Sequence, residues 1–234
     1  MRRDLPSDID RRTVEKLLAS ARPVTGASSR IDIVSAQFIG LPYRPFPLIG
    51  SAESPEVLTV STNGFDCVTY IETVLALSRS ESLPEFIDTL RRIRYDSGRI
   101  DWRRRNHYMT EWIRNNIRYG CVRRISGLRN GVEKDRVLDV VPGLAVRRSR
   151  FNCVPKRELL RVSSKLRTGD LVFFASTRKN LDVFHCGVLV NNGMGLLMRH
   201  ASRGRGAVVE QNLAEFLKQN RMAGVIVVRP TESN

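Results

Sequence analysis

Apolar residues recur at helical spacing through the first half of the chain and alternate through its last third. In residues 8–21, Ile9, Val14, Leu17 and Leu18 fall on one side of a short amphipathic helix. Residues 22–30 contain Pro, Gly and Ser and read as a linker, after which 31–38 open the main unit. Gly40-Leu41-Pro42-Tyr43 is a turn, and 44–65 alternate turns with short strand-like pieces such as 57–60. A helix is expected to begin at Cys67, with Asp66 as its N-cap and Val68, Ile71, Val74, Leu75 and Leu77 as its apolar stripe. A second starts near residue 83, where Ser82 and Glu85 have capping-box spacing, Pro84 suits the first turn, and Phe86, Leu90 and Ile93 repeat. A third covers roughly 107–117, with Tyr108 and Trp112 one turn apart.

Residues 119–160 are basic, contain Gly and lack clear periodicity, so they read as a loop-rich excursion. Strand patterns then dominate at 170–175, 183–190, 195–201, 207–210 and 225–228, with a short helix at 213–219. Helices first and a meander of strands later predict an α+β fold. No apolar run reaches membrane-spanning length. Nor does an apolar segment follow Met1-Arg2-Arg3-Asp4, so no secretory signal is expected in the chain.

Charge changes the picture of partners. Lys plus Arg number 39 against 24 for Asp plus Glu, a formal net charge of +15. A nucleic acid, an anionic membrane surface and a bacterial cell wall all fit such an excess, as does a soluble enzyme with Arg-rich composition. Aromatic residues at 7% and the lack of a helix-turn-helix, RNA-recognition or zinc signature argue against a specific nucleic-acid reader. The four cysteines, Cys67, Cys121, Cys153 and Cys186, form no C-x-x-C pair, so a structural zinc site is not expected. A Cys121–Cys153 disulfide stays open.

Cys67 sits where a turn enters a helix. A helix N-terminus stabilises a thiolate, and its free N–H groups can hold an oxyanion. A buried structural cysteine is the alternative. His185 and His200 lie on consecutive strands flanking the hairpin signal Asn191-Asn192-Gly193-Met194. The turn predicts paired residue numbers that sum to 385. His185 then faces His200 directly, with Cβ atoms roughly 4.5–5.5 Å apart. Alternation puts Phe184, Cys186, Val188 and Val190 on the opposite, apolar face, so Cys186 reads as core. Two facing histidines suit a base and its orienter. Metal binding, with Asp66 or Cys67 as a third ligand, competes, although no H-x-x-x-H or H-x-E spacing is present.

In chain order, Gly40-Leu41-Pro42-Tyr43, Asp66-Cys67, the run Leu166 to Phe174, His185-Cys186-Gly187-Val188 and His200-Ala201-Ser202 resemble the NlpC-like superfamily of papain-related cell-wall cysteine hydrolases. The segment from Phe65 to Leu77, and Arg105-Asn106-His107-Tyr108 followed by Trp112, look more specifically like one branch. That branch was long classed as a domain of unknown function and is associated with N-acetylmuramoyl-L-alanine amidase activity. The resemblance spans roughly residues 31–230. Cys186 stands where the family often has a plain aliphatic residue, and 119–160 match the branch poorly.

The resemblance implies a papain-like core of N-terminal helices and an antiparallel β-meander. It places a helix and linker at 1–30, the hydrolase domain at 31–230 and a helical, loop-rich insertion at about 84–160. It implies Cys67 as nucleophile, His185 as base and His200 as the residue orienting His185, with no metal or organic cofactor. Tyr43, Asp66, Arg105, His107 and Tyr108 are the implied substrate-site residues. The implied substrate is peptidoglycan or its muropeptides, in the cell envelope. The amide between N-acetylmuramic acid and L-alanine is the expected bond, and the γ-D-glutamyl–diamino acid bond is the alternative. A basic nucleic-acid-binding protein and an inactive wall-binding relative are the readings from other classes.

Overall fold

The computed structural model describes residues 9–128 and 131–232. Residue 8, where the first helix is expected to begin, and the Met1-Arg2-Arg3-Asp4 terminus lie outside the described residues. Helix α1 (Arg11–Ala21) is capped by Asp10, whose carboxylate accepts from the Thr13 N–H at 3.2 Å. Its Val14, Leu17, Leu18 and Ala21 are buried in the same core as the following helices. Helix α2 (Ala27–Ala36) begins inside the stretch expected to be a linker. Its cap comes from far along the chain: the Ala27 N–H donates to the Glu232 carboxylate at 2.8 Å. Local sequence around Gly26 holds no such acceptor, which is why the helix start is hidden there.

Helix α3 (Cys67–Ser78) has a complete capping box. Asp66 accepts from the Thr69 N–H at 2.8 Å, and Thr69 Oγ1 accepts from the Asp66 N–H at 3.1 Å. Every residue from Thr69 to Ser78 is buried, so α3 is the central helix. Helix α4 (Leu83–Arg94) starts at Ser82 as its spacing predicts. Helix α5 (Met109–Arg118) is capped by buried Asp182, which accepts from the Thr110 N–H at 2.7 Å and the Thr110 hydroxyl at 2.8 Å. A buried polar network ties these three helices together. Arg94 Nε donates to Glu72 at 2.7 Å, Trp112 Nε1 donates to the same carboxylate at 3.1 Å, and Arg94 also donates to the Thr59 carbonyl at 2.5 Å.

The strands are β1 (Val122–Arg124), β2 (Val132–Leu138), β3 (Arg147–Cys153), β4 (Leu171–Ala175), β5 (Val183–Asn191), β6 (Leu196–Ser202), β7 (Ala207–Asn212) and β8 (Gly224–Pro230). Short helices α6 (Lys156–Leu159) and α7 (Leu213–Gln219) precede β4 and β8. The main sheet is antiparallel throughout, in the order β1-β8-β4-β5-β6-β7. The α+β class is as expected. The loop-rich reading of 119–160 is corrected, because β2 and β3 pair there as a separate hairpin. Glu133, Lys134, Asp135 and Arg136 run through β2, whose faces are largely solvated, so no apolar alternation announced it. The strand-like piece at 57–60 forms only one isolated bridge, Val57 to Ile49.

The sheet separates two apolar layers. Phe173, Cys186, Val188 and Ala201 face the helical layer of α1 to α5. Phe174, Leu189 and Met198 face α7 through Phe216 and Leu217. All four cysteines are free, so the Cys121–Cys153 disulfide is not formed. Among the described residues, no helix is long and apolar enough to cross a membrane.

Candidate active site

Cys67 is the first residue of α3 and is half-buried. Its backbone lies where the first-turn N–H groups of a buried helix point outward. The thiol is held well below its ordinary range. A hydrogen bond from the Cys186 thiol contributes most, then a hydrogen bond from His185 and its charge, all against the opposing effect of burial. Cys186 moves the other way, pushed well up by burial and then by the charge of Cys67. The negative charge therefore rests on Cys67, and Cys186 stays a thiol. Cys186 Sγ also donates to the Cys67 carbonyl at 3.2 Å. Cys186 is a core residue on the apolar face of β5, as expected. It packs there against α3 at the residue that opens it.

Asp66 is pushed up to about 6 by burial and by the Cys67 charge, opposed by its bonds from Thr69. Tyr43 lies in the same field, raised by burial and then by Cys67 and Asp66, with Arg203 opposing. Its N–H donates to the Gly206 carbonyl at 2.7 Å, and Tyr43 bridges Phe65. The turn between β6 and β7 thereby holds Tyr43 and Arg203 beside Asp66 and Cys67.

The strand pair delivers the histidines by a register different from the expected one. Val188 pairs with Arg199 and Asn191 with Leu196, so partner numbers sum to 387 rather than 385. The side chain of Asn192 accepts from the N–H groups of Met194 and Gly195 at 3.1 and 3.0 Å, which fixes a loop over 192–195. Carried one step on, that register sets His200 opposite Gly187 and diagonal to His185. The parity is unchanged, so both rings stay on one face. They meet across the diagonal, with ring centroids 4.8 Å apart and His185 Nε2 2.7 Å from His200 Nδ1. Phe184 is also corrected. Phe174 pairs with His185 and Ala175 with Val183, leaving Phe184 as an extra, bulged residue. The bulge brings Phe184 out beside His185 and Phe174, not onto the Cys186 face.

A hydrogen-bonded chain leads away from His185. His200 Nε2 lies 3.3 Å from Gln211 Oε1, and Gln211 Nε2 donates to Gln219 Oε1 at 3.3 Å. His200 is pushed down to about 3 by burial and then by the charge of His185. It is neutral at physiological pH, and the Gln211 oxygen assigns its proton to Nε2. His200 Nδ1 then accepts from His185 Nε2–H. This leaves His185 Nδ1 as the ring nitrogen that His200 does not engage. The imidazoles use one nitrogen each on the other, a geometry for orientation that leaves those two atoms no common metal ion. Phe216 stacks on His185 at 5.5 Å and closes the far side of the pair.

Arg105, His107 and Tyr108 each bond to a partner outside the Cys67–His185–His200 group. Arg105 pairs at 3.1 Å with Glu56, which also accepts from the Tyr95 hydroxyl at 2.7 Å. The His107 ring bonds to the Trp102 carbonyl at 2.7 Å and is pushed down to about 4, chiefly by burial. Tyr108 is 1% exposed, with its hydroxyl against the Val141 N–H at 3.4 Å. Tyr108 is thus committed to packing and offers no surface to a substrate in this structure. Gln211, Gln219 and Arg203 escaped the sequence reading, as did the contact of Cys186 with Cys67. Only Gln211 left a usable signal: with His200 paired to Val209, it lies two residues along the same face of β7.

Residues 33–225 match the model of a family described as AmiA-like, N-acetylmuramoyl-L-alanine amidase-like. A Legionella pneumophila protein of family DUF1460 superposes with a TM-score of 0.83 at 21% identity, covering 95% of each chain. A Bacteroides uniformis N-acetylmuramoyl-L-alanine amidase superposes with a TM-score of 0.76 at 24% identity, over 85% of this chain and 97% of that one. A Bacteroides fragilis structure provisionally assigned as a xylanase gives 0.75 at 24% identity, over 83% and 98%. At these identities the likeness carries the fold alone. No curated protein matches the sequence.

Proposed function

The chain belongs to the AmiA-like, N-acetylmuramoyl-L-alanine amidase-like family, and from that membership we propose that it is a peptidoglycan hydrolase cleaving the amide between N-acetylmuramic acid and L-alanine. The observation that carries this reading is the grouping of a low-pKa thiol at the start of α3 with a hydrogen-bonded histidine pair. Cys67 is the nucleophile, His185 the base and acid, and His200 the residue that aims His185. We place the unit in the NlpC-like superfamily with a papain-like core. Its hydrolase domain is 31–230, α1 docks against it from the 1–30 segment, and 84–160 form the insertion.

The proposed chemistry uses that grouping step by step. The Cys67 thiolate attacks the lactyl carbonyl carbon of the muramoyl amide, and first-turn N–H groups of α3 hold the oxyanion that forms. His185 gives its Nδ1 proton to the leaving L-alanine nitrogen, the C–N bond breaks and a thioester remains. Water then attacks the thioester, His185 takes its proton, and the sugar acid leaves. Throughout, His200 keeps Nε2–H of His185 engaged, so the ring presents Nδ1 at each step. Tyr43, Asp66 and Arg203 border the nucleophile and are the substrate-facing candidates. Arg105 is held by Glu56 and His107 by the Trp102 carbonyl, so each has only its second side for substrate. A carbohydrate-cleaving role would call for two carboxyl groups flanking the bond, whereas the group assembled at Cys67 is a thiol and two imidazoles.

Mass spectrometry of purified muropeptides after digestion tests the bond. A free stem peptide with L-alanine at its N-terminus is the expected product. A sugar retaining an L-alanyl-D-glutamyl dipeptide as the only product would move the cut to the γ-D-glutamyl bond.

A further inference from the structure

The strand that supplies His185 supplies a second thiol at the next residue. Cys186 is fully buried between the sheet and α3, and its sulfur donates to the Cys67 carbonyl at 3.2 Å, beside the Cys67 thiol whose ionisation it favours. The other two cysteines are elsewhere. Cys153 Sγ faces the carbonyls of Val132 and Ala223 at 3.6 and 3.7 Å, and Cys121 sits at the start of β1, with its carbonyl accepting from the Thr231 N–H at 3.1 Å. Burial raises both of those thiols. The hydrolytic steps above make no use of a second sulfur beside the first.

We propose that Cys186 is a resolving thiol for Cys67, so that oxidation of the nucleophile by a hydroperoxide is captured as a Cys67–Cys186 disulfide and the site is switched off reversibly. The inference rests on the reading of Cys67 as the reactive thiolate. In the first step the Cys67 sulfur attacks one oxygen of hydrogen peroxide. An S–O bond forms, the O–O bond breaks, and the hydroxide released takes up a proton to become water. Cys67 is oxidised by two electrons to the sulfenic acid, and the peroxide is reduced. In the second step the Cys186 sulfur attacks that of Cys67. The S–S bond forms, the S–O bond breaks, and the hydroxyl leaves as water with the proton of Cys186. A dithiol reductant returns both thiols and is itself oxidised to a disulfide.

The surroundings favour each step in turn. Cys67 is half-buried, and so open to a small peroxide, and it is ionised at a helix N-terminus. Cys186 is shielded from external oxidant and stays reduced until Cys67 reacts. Part of what keeps Cys186 protonated is the negative charge of Cys67. Conversion of Cys67 to a neutral sulfenic acid removes that charge, so the resolving thiol becomes more nucleophilic when it is needed. Without Cys186 the sulfenic acid remains exposed to further peroxide and advances to the irreversible sulfinic acid.

The test uses the full chain, reduced, freed of reductant and treated with hydrogen peroxide. Intact mass, non-reducing peptide mapping and activity before and after dithiothreitol are read together. The wild type is expected to lose the mass of two hydrogens, to show the Cys67 and Cys186 peptides linked, and to recover its activity with dithiothreitol. Cys186→Ala and Cys186→Ser, each scaled to its own untreated activity, are expected to gain two oxygens at Cys67 and to recover nothing. Wild-type protein that gains oxygen at Cys67 without a link, links other cysteines or is left unmodified overturns the proposal. Recovery by both Cys186 variants equal to that of wild type overturns it as well. Because the peptide map needs no hydrolysis, it decides the question even if Cys67 proves dispensable for cleavage.

Discussion

Replacing His200 by Ala removes the acceptor 2.7 Å from His185 Nε2. His185 then keeps a part-buried N–H with no protein partner, which costs about 1–3 kcal/mol. It also loses the bond that places its second proton on Nε2. Since each 1.36 kcal/mol is tenfold in rate, kcat should fall about 5- to 150-fold. The loss belongs in kcat and not in KM, because ring orientation matters most as charge develops on His185. His200 is held neutral, so an uncharged amide is a fair substitute. His200→Gln and His200→Asn can present an oxygen to Nε2–H and should retain clearly more activity than His200→Ala, whereas His185→Ala should lose essentially all. The Ala variant also leaves a gap beside the Phe216 ring, 5.6 Å away, so circular dichroism must first show each variant folded. The assay is steady-state kinetics on a soluble muropeptide. Wild-type kcat for His200→Ala, or Gln and Asn variants no better than Ala, would refute the orienting role.

Three further outcomes follow from the same structure. Gln211→Leu should lower kcat through a loosened His200 tautomer, while Gln211→Glu should instead shift the pH profile by favouring protonated His200; identical profiles for both variants and wild type would deny the relay. Glu72→Ala strands a guanidinium in the core, since both side chains of the Glu72–Arg94 pair are 2% exposed, so urea unfolding should show a loss of about 3–5 kcal/mol; an unchanged midpoint would contradict it. Stability should also fall in acid. His200 and His107 are depressed from 6.5 to about 3 and about 4, so the unfolded chain binds protons first, and their contribution is intact above about pH 6.5 and lost toward pH 3–4. Asp66, raised from 3.8 to about 6, works oppositely: its contribution is present below about pH 4 and lost as pH rises through 6. Thermal melts between pH 4 and 7 should flatten in His200→Gln, and an equal slope in that variant would remove His200 from the account.

What was legible in the sequence was local or periodic. Asp66 and Thr69 sit within one turn, so the start of α3 at Cys67 could be read directly. The two histidines could be put on one face because alternation survives a register error of two. The register itself could not, because the loop is set by the Asn192 side chain and not by the Asn-Gly pair. Phe184 misled because a bulge interrupts the alternation from which its face was read. Cys186 gains its meaning from a partner 119 residues away, and Glu232 caps a helix 205 residues before it. No spacing rule reaches that far. Charge was a weak guide as well, since several arginines are committed to partners, among them Arg94 to Glu72, Arg199 to Asp32 and Glu210, and Arg229 to Asp170.

The central claim is that the Cys67 thiolate carries out the cleavage, and turnover of Cys67→Ser on a purified muropeptide tests it most directly. Serine keeps the size of the side chain and the α3 start, but its hydroxyl stays protonated at neutral pH where the thiol is ionised. With folding shown intact by circular dichroism, kcat is predicted to fall on the order of 10³-fold or more. Release of the stem peptide by Cys67→Ser at the wild-type rate would contradict the account.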